Sequence, residues 1–447
     1  MKVAVLGGAG VRVPLLVRGL VRRLPQLGVD QVALCDPDRP RQEIIGRFCA
    51  ALAGEAFQVS WGAAPEEALA GASFVIAAIR VGQEAGRILD ERVALERGYL
   101  GQETTGPGGF AFALRTVPVL VEYLRLVQRV APGAWFVNLT NPVGLTTEAL
   151  VRRGLTRVVG ICDAPALLAR ELGEYLGRPV ELEYAGLNHL GWTRGVREGE
   201  GERLGELLTR AGRLTDACRS LRPFPGEFLQ QLGLLPNEYL YYYYFRREAL
   251  RALTGAADTR GEQVARINAA LLEELAARLA AGDPAGARTA YTRAIEGRSA
   301  SYMARETGTE PTGELPGRRL EEEGGYEGLA LAVLEALQGG GRRRLVLNVP
   351  GSLAGLPPDR VVELPCQVDR DAVRPEAGGP LPEHARILVT AVKAYEELTV
   401  EAALAGDRRL AVEALLTHPL VGSYPGAHDL VEAYLAAHRA FLPRFHR

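Results

Sequence analysis

Short apolar runs alternate with amphipathic helical stretches along the first part of the chain. Val3-Ala4-Val5-Leu6, Val32-Ala33-Leu34-Cys35, Phe74-Val75-Ile76-Ala77-Ala78-Ile79, Trp135-Phe136-Val137 and Val158-Val159-Gly160-Ile161 show no polar alternation. Strands apolar on both faces and separated by helices belong in a parallel sheet covered on both sides. After the first run, Leu15, Leu16, Leu20 and Val21 fall on one helical face. The pattern predicts a Rossmann-type, doubly wound α/β fold of the lactate/malate dehydrogenase kind over residues 1–190. Beyond that point long helical periodicities dominate, over 261–279, 329–337 and 384–405. Strands are expected at 344–348 and 361–364, with Gly/Arg and Gly/Pro loops at 339–344 and 351–358. Residues 191–447 are therefore expected to form a mixed, mainly helical C-terminal lobe packed closely on the first.

The first apolar run ends in Gly7-Gly8-Ala9-Gly10, a helix follows, and the second run ends at Asp36. Strand, glycine loop, helix, strand and acid is the order of a dinucleotide site. The glycines admit the pyrophosphate to the backbone, and its charge sits at the helix N-terminus. Asp36 would take the adenosine ribose hydroxyls and disfavour a 2′-phosphate, so the cofactor expected is NAD. The third glycine position holds Val13, a departure from the usual fingerprint. The residues assigned to the cofactor are Gly8, Gly10, Val11, Asp36, Arg80 and Asn138.

Charge and composition narrow the function classes. The formal net charge is -2, with no basic tail, which gives no electrostatic footprint for nucleic acid or an anionic membrane. No run of 18 apolar residues suggests a membrane span, and no charged segment with an apolar stretch precedes the first strand. A cytoplasmic location is expected. The five cysteines (35, 49, 162, 218 and 366) are scattered without CxxC spacing, which favours reduced thiols over a disulfide framework.

Five polar, glycine-rich segments lie where an open parallel sheet presents its ligands: Arg80–Glu91, Gly101–Gly109, Asn138–Pro142, Gly160–Pro165 and Gly186–His189. Four of them contain GQETTGPGG, NLTNP, GICDAP and GLNH. With these motifs the chain resembles glycoside hydrolase family 4, and LPNEYLYYYYF, TRGEQV, ASYM, GGYE and LPPDRVVELPC extend the likeness over nearly its whole length. The GQETTGPGG form looks like the branch acting on 6-phospho-glucosides.

The resemblance implies an NAD-dependent hydrolase, a named exception to two-carboxylate glycoside hydrolysis. In the family, NAD⁺ takes hydride from C3 of the sugar and a divalent metal polarises the ketone. A base removes the acidified C2 proton, the C1 substituent is eliminated, water adds, and the hydride returns to C3. The metal, Mn²⁺ in the family, would be held by Cys162 and His189; a thiolate and an imidazole suit a divalent transition metal with positions left for substrate oxygens. The C2 base would come from the Tyr239–Tyr244 run, and the pattern P-N-x-Y-L selects Tyr239. Asp163 is the candidate acid for the leaving group. Arg87 and Arg260 are assigned to the substrate phosphate, Asn141 to the sugar, and Asn188 to the substrate as well.

Two features leave questions open. Asp163 matches relatives acting on α-glucosides, while the wording of the other motifs is closest to 6-phospho-β-glucosidases; the anomer leans to β, with a 6-phospho-α-glucosidase as the alternative. The family usually has two glycines after Arg-Val, whereas here Gly82 is followed by Gln83-Glu84. An NAD-dependent 2-hydroxy acid dehydrogenase would need a His base with an Asp partner, yet His189 is the only histidine before residue 384. A non-catalytic NAD sensor would need neither the Cys/His pair nor the tyrosines. The family forms homodimers or homotetramers, and the second lobe is expected to supply substrate contacts and that interface.

Overall fold

A computed structural model describes residues 1–300, 303, 307 and 325–446, the side chain of residue 300 excepted. The ASYM segment, apart from Met303, and Gly324 of GGYE fall largely or wholly outside those residues. Six strands form a parallel half-sheet: β1 (Lys2–Leu6), β2 (Gln31–Cys35), β3 (Gln58–Trp61), β4 (Phe74–Ala77), β5 (Trp135–Asn138) and β6 (Val158–Gly160). Their spatial order is β3-β2-β1-β4-β5-β6, all neighbours parallel. The chain reverses direction of winding between β1 and β4, and the cleft outside their carboxyl ends is the place for a ligand. As the apolar runs require, β1 and β4 bury both faces. Val3, Val5 and Ile76 pack with the helices Val13–Arg22 and Arg39–Ala53. Ala4, Leu6 and Val75 pack with the helix Pro107–Val130.

The third apolar run was expected to reach residue 79, but β4 stops at Ala77. Gly7 presses on it there: a Cβ on Gly7 would lie 2.4 Å from the Ala78 carbonyl oxygen. Ile79 instead gives its N–H to the Thr140 hydroxyl at 3.1 Å.

The sheet does not end with the nucleotide half. Beyond β6 it continues antiparallel through β7 (Glu181–Leu187), β8 (Leu190–Glu198), β9 (Gly201–Glu202), β10 (Leu235–Pro236), β11 (Arg343–Pro350), β12 (Val361–Val368) and β13 (Val373–Pro375). Their order outward from β6 is β11-β12-β7-β8-β10, with β9 on β8 and β13 on β12. Two junctions are narrow. β11 meets β6 only at Asn348 and Gly160, and β12 meets β7 only at Glu363 and Gly186. A second core gathers β7, β8 and the helices Pro107–Val130, Glu383–Ala405 and Tyr424–Ala437. No helix among the described residues is long and apolar enough to cross a membrane. All five cysteines are free thiols and buried.

Candidate active site

A cavity of about 500 Å³ opens at the carboxyl ends of β1, β2 and β4. Gly10, Val11, Asp36 and Arg80 line it, together with Gly7. Asp36 accepts hydrogen bonds from the backbone N–H of Ala9 (3.1 Å) and Asp38 (3.0 Å), which ties the glycine loop to the end of β2. Two residues assigned to the cofactor do not line this cavity. Gly8 lies against β2, where a Cβ would come 2.7 Å from the Cys35 nitrogen. Asn138 is fully buried, donates to Thr146 (2.9 Å) and Thr147 (3.0 Å), and accepts from the Thr140 N–H. Its polar atoms are spent bracing the NLTNP turn, so it supports the site from below.

The Gln83-Glu84 departure has a local explanation. Gln83 adopts a left-handed φ of 51° and donates to Asp38 at 2.8 Å. Glu84 receives Arg41 at 2.8 and 3.0 Å and Asn268 at 2.6 Å. The pair straps the glycine-loop side of the cavity to the helix Arg260–Ala280 of the second half. Those donors hold the Glu84 carboxyl down at about 2 despite its burial.

A second cavity, about 620 Å³, shares Arg80, Arg87, Val264 and Arg298 with the first. Asn141, Asp163, Tyr239, Arg87 and Arg260 all line it. Asp163 begins the helix Ala164–Leu176 without capping it through its side chain. Asn188 is not on the wall; it is buried beneath Gly144, whose added Cβ would approach the Asn188 Cβ to 3.0 Å.

Cys162 and His189 lie under the floor, 2% and 4% exposed. Cys162 immediately precedes the wall residue Asp163. Burial raises its thiol well above the ordinary value, and the carboxylates of Glu363 and Asp163 act in the same direction. His189 sits in the two-residue turn between β7 and β8 with φ 61°, a strained conformation for a non-glycine residue. Its ring stacks on Tyr239 with centroids 3.6 Å apart. Burial holds the imidazole down at about 3, so it is neutral at any working pH. Its Nε2 is buried and has no hydrogen-bond partner among the described residues. Burial raises the phenol of Tyr326, on the cavity wall, well above its ordinary value, and Asp163, Cys162 and Tyr239 act in the same direction. Among the described residues no group of three or more His, Cys, Asp and Glu side chains forms a ready-made metal cluster. A buried imidazole whose Nε2 has no hydrogen-bond partner among the described residues, and a buried thiol next in sequence to the wall residue Asp163, are nevertheless donors of the kind a divalent cation takes, its remaining ligands coming from elsewhere.

Several wall residues carried no signal of their own in the sequence. Glu103 bonds Arg80 at 2.7 Å and Arg87 at 2.9 Å and is held down at about 2 against its burial. Arg298 lies where burial, then Arg12, Arg87 and Arg260, push its guanidinium down to about 9. Crowded cations of this kind mark a place for an anion. Glu103 stood inside a motif already singled out, but Arg298 lies in an unmarked helical stretch.

The chain matches known proteins over nearly its whole length. The model of the family 4 glycosyl hydrolases matches residues 2–178, and that of the family's C-terminal domain matches 184–421. The 6-phospho-beta-glucosidase BglT of Thermotoga maritima is 32% identical over 99% of this chain and 99% of its own. The maltose-6'-phosphate glucosidase of Bacillus subtilis is 28% identical over 99% of this chain and 96% of its own. A crystal structure of the 6-phospho-beta glucosidase from Thermotoga maritima, with manganese, NAD⁺ and glucose-6-phosphate, superposes with a TM-score of 0.82 at 30% identity, covering 99% of both chains.

Proposed function

The chain belongs to the family 4 glycosyl hydrolases, and from that membership we propose that it hydrolyses 6-phospho-glucosides, the β anomer by preference, with NAD and a divalent cation such as Mn²⁺. The observation that carries the reading is the joining of the two cavities through Arg80, Arg87, Val264 and Arg298. A nucleotide in the first and a sugar in the second would meet there. When bound, the dinucleotide supplies a two-electron oxidant for C3 and the cation a Lewis acid for the sugar oxygens.

The protein's residues supply the rest. Gly10, Val11, Asp36 and Arg80 receive the dinucleotide, with Gly8 and Asn138 holding the loops that shape its cleft. Cys162 and His189 hold the cation. Arg87, Arg260 and Arg298 receive the phosphate, and Asn141 lies against the sugar, its turn backed by Asn188. The Tyr239 phenol oxygen takes the C2 proton. The Asp163 carboxyl delivers a proton to the leaving oxygen as the C1 bond breaks, before water adds at C1. Preference for the β anomer rests on the 32% identity to the Thermotoga maritima enzyme and on the NEYLYYYY segment, against Asp163, which pulls toward α.

Para-nitrophenyl α- and β-glucoside 6-phosphates, offered side by side with NAD⁺ and Mn²⁺, test both parts. The expected result is nitrophenol from the β compound with no net NADH. Turnover of the α compound alone would overturn the anomeric assignment, and one NADH per turnover would make the protein a dehydrogenase.

A further inference from the structure

The loop Gly101–Gly106 folds back on the helix Pro107–Val130. Two glycines allow this: a Cβ on Gly108 would lie 2.1 Å from the Gln102 carbonyl oxygen, and one on Gly109 would lie 2.2 Å from that of Thr104. The fold-back buries Gln102, Thr104 and Thr105, each 8% exposed or less. The Gln102 side-chain oxygen accepts the backbone N–H of Thr104 at 2.6 Å and of Thr105 at 2.5 Å. Two backbone donors fix which end of the amide points inward.

The Thr104 hydroxyl oxygen lies 3.0 Å from that same Gln102 oxygen and 3.0 Å from Nδ1 of His189. Two oxygens at this distance in a buried site repel unless a proton lies between them. The amide oxygen has none, so the Thr104 hydroxyl must donate to Gln102. Its single proton is then spent, and the contact with His189 requires the ring to supply the hydrogen. The imidazole therefore carries its proton on Nδ1 and leaves a lone pair on Nε2, the buried nitrogen without a partner among the described residues. The opposite tautomer would set two lone pairs face to face at Nδ1 and bury an unpaired N–H at Nε2.

We propose that Gln102 and Thr104 are positioning residues that fix the His189 tautomer, so that Nε2 is presented as a cation ligand before any cation arrives. The inference rests on the metal reading above, and it explains why a loop at the head of a helix must be packed this tightly. Partners of this kind, one bond behind a metal ligand, typically change affinity by about 10- to 100-fold when removed.

The test has two arms. ¹⁵N NMR of the histidine-labelled, metal-free protein with NAD⁺ bound should show the His189 ring protonated at Nδ1; this arm needs no variant. Mn²⁺ titrations followed by electron paramagnetic resonance then compare wild type with Thr104→Val and Thr104→Ser. The expected result is an about 10- to 100-fold weaker Mn²⁺ affinity for Thr104→Val and near-wild-type affinity for Thr104→Ser, with NAD⁺ affinity and Tm alike in all three. A wild-type protein that binds Mn²⁺ with its ring protonated at Nε2, or an unweakened Thr104→Val, would overturn the relay alone. A wild-type ring protonated at Nδ1 in a protein that binds no Mn²⁺ would overturn the metal reading and the relay's role with it.

Discussion

The rings of His189 and Tyr239 lie face to face, with centroids 3.6 Å apart and planes 7° from parallel. Tyr239 is held at its backbone by Asn237, whose side chain accepts the Tyr239 N–H at 3.1 Å and donates to Tyr184 at 3.1 Å. The phenol is thus both a wall of the cavity and the surface that keeps the imidazole in plane. Tyr239→Phe separates these roles. It should lower kcat by about 10²- to 10⁴-fold, the usual range for a lost general base, while Mn²⁺ affinity stays within a few-fold because the stack survives. Tyr239→Ala should weaken both. A Phe variant with near-wild-type kcat would move the base to another tyrosine of the run.

Arg298 gives a second prediction. Its guanidinium is crowded by Arg12, Arg87 and Arg260 as well as buried, and an anion would relieve that crowding. Arg298→Gln should raise KM for a phosphorylated glucoside by about 10- to 100-fold, matching roughly 1.5–3 kcal/mol for a charge-assisted hydrogen bond. The change in kcat should be smaller, because phosphate contacts bind ground state and transition state alike. Equal loss of kcat with KM unchanged would place Arg298 at the reacting carbons instead.

Stability should fall on mild acidification through His418. This ring is buried, meets Tyr395 edge-on at 4.5 Å, and accepts the Leu420 N–H at 3.1 Å. Burial, then Arg246, holds it down at about 3. The unfolded chain takes up a proton below about 6.5 and the folded chain does not, so stability is lost as pH falls from 6.5 toward 3. At pH 5 the loss is about 2 kcal/mol from this one ring. His189, also held at about 3, adds a parallel slope. In His418→Asn, which keeps an acceptor for Leu420, denaturant titrations at pH 7.5 and pH 5 should show about 2 kcal/mol less loss than in wild type. Equal losses would mean that His418 titrates normally.

The parallel half of the sheet was legible because its strands are buried on both faces and therefore read as unbroken apolar runs. β3 was not: Gln58–Trp61 is a four-residue edge strand, exposed or half-buried throughout, and offers no such run. β7 and β8 were hidden by polar residues such as Glu181, Glu183, Thr193 and Arg194, and the second half was expected to be more helical than it is. The site divides in the same way. Asp36 stood out through the strand, glycine loop, helix and strand before it, whereas Asp163 and His189 were picked out by the family resemblance of the GICDAP and GLNH motifs. Arg298 reaches the cavity only because the helix Pro284–Ala300 packs across the helix Arg260–Ala280. The bond from Thr104 to His189 joins residues 85 positions apart, which no local pattern encodes. Asn138 shows the reverse: a polar residue at a strand end suggested a ligand contact, whereas its amide is engaged by Thr146 and Thr147 and does not line the cavity.

The central claim is that the C2 proton leaves the sugar during each turnover, and solvent exchange tests it directly. Hydrolysis of a 6-phospho-glucoside carried out in D₂O with NAD⁺ and Mn²⁺ should yield glucose 6-phosphate bearing deuterium at C2, as read by mass spectrometry and ¹H NMR. Product that retains hydrogen at C2 would contradict proton abstraction at that carbon, and with it the roles given to Tyr239, Cys162 and His189.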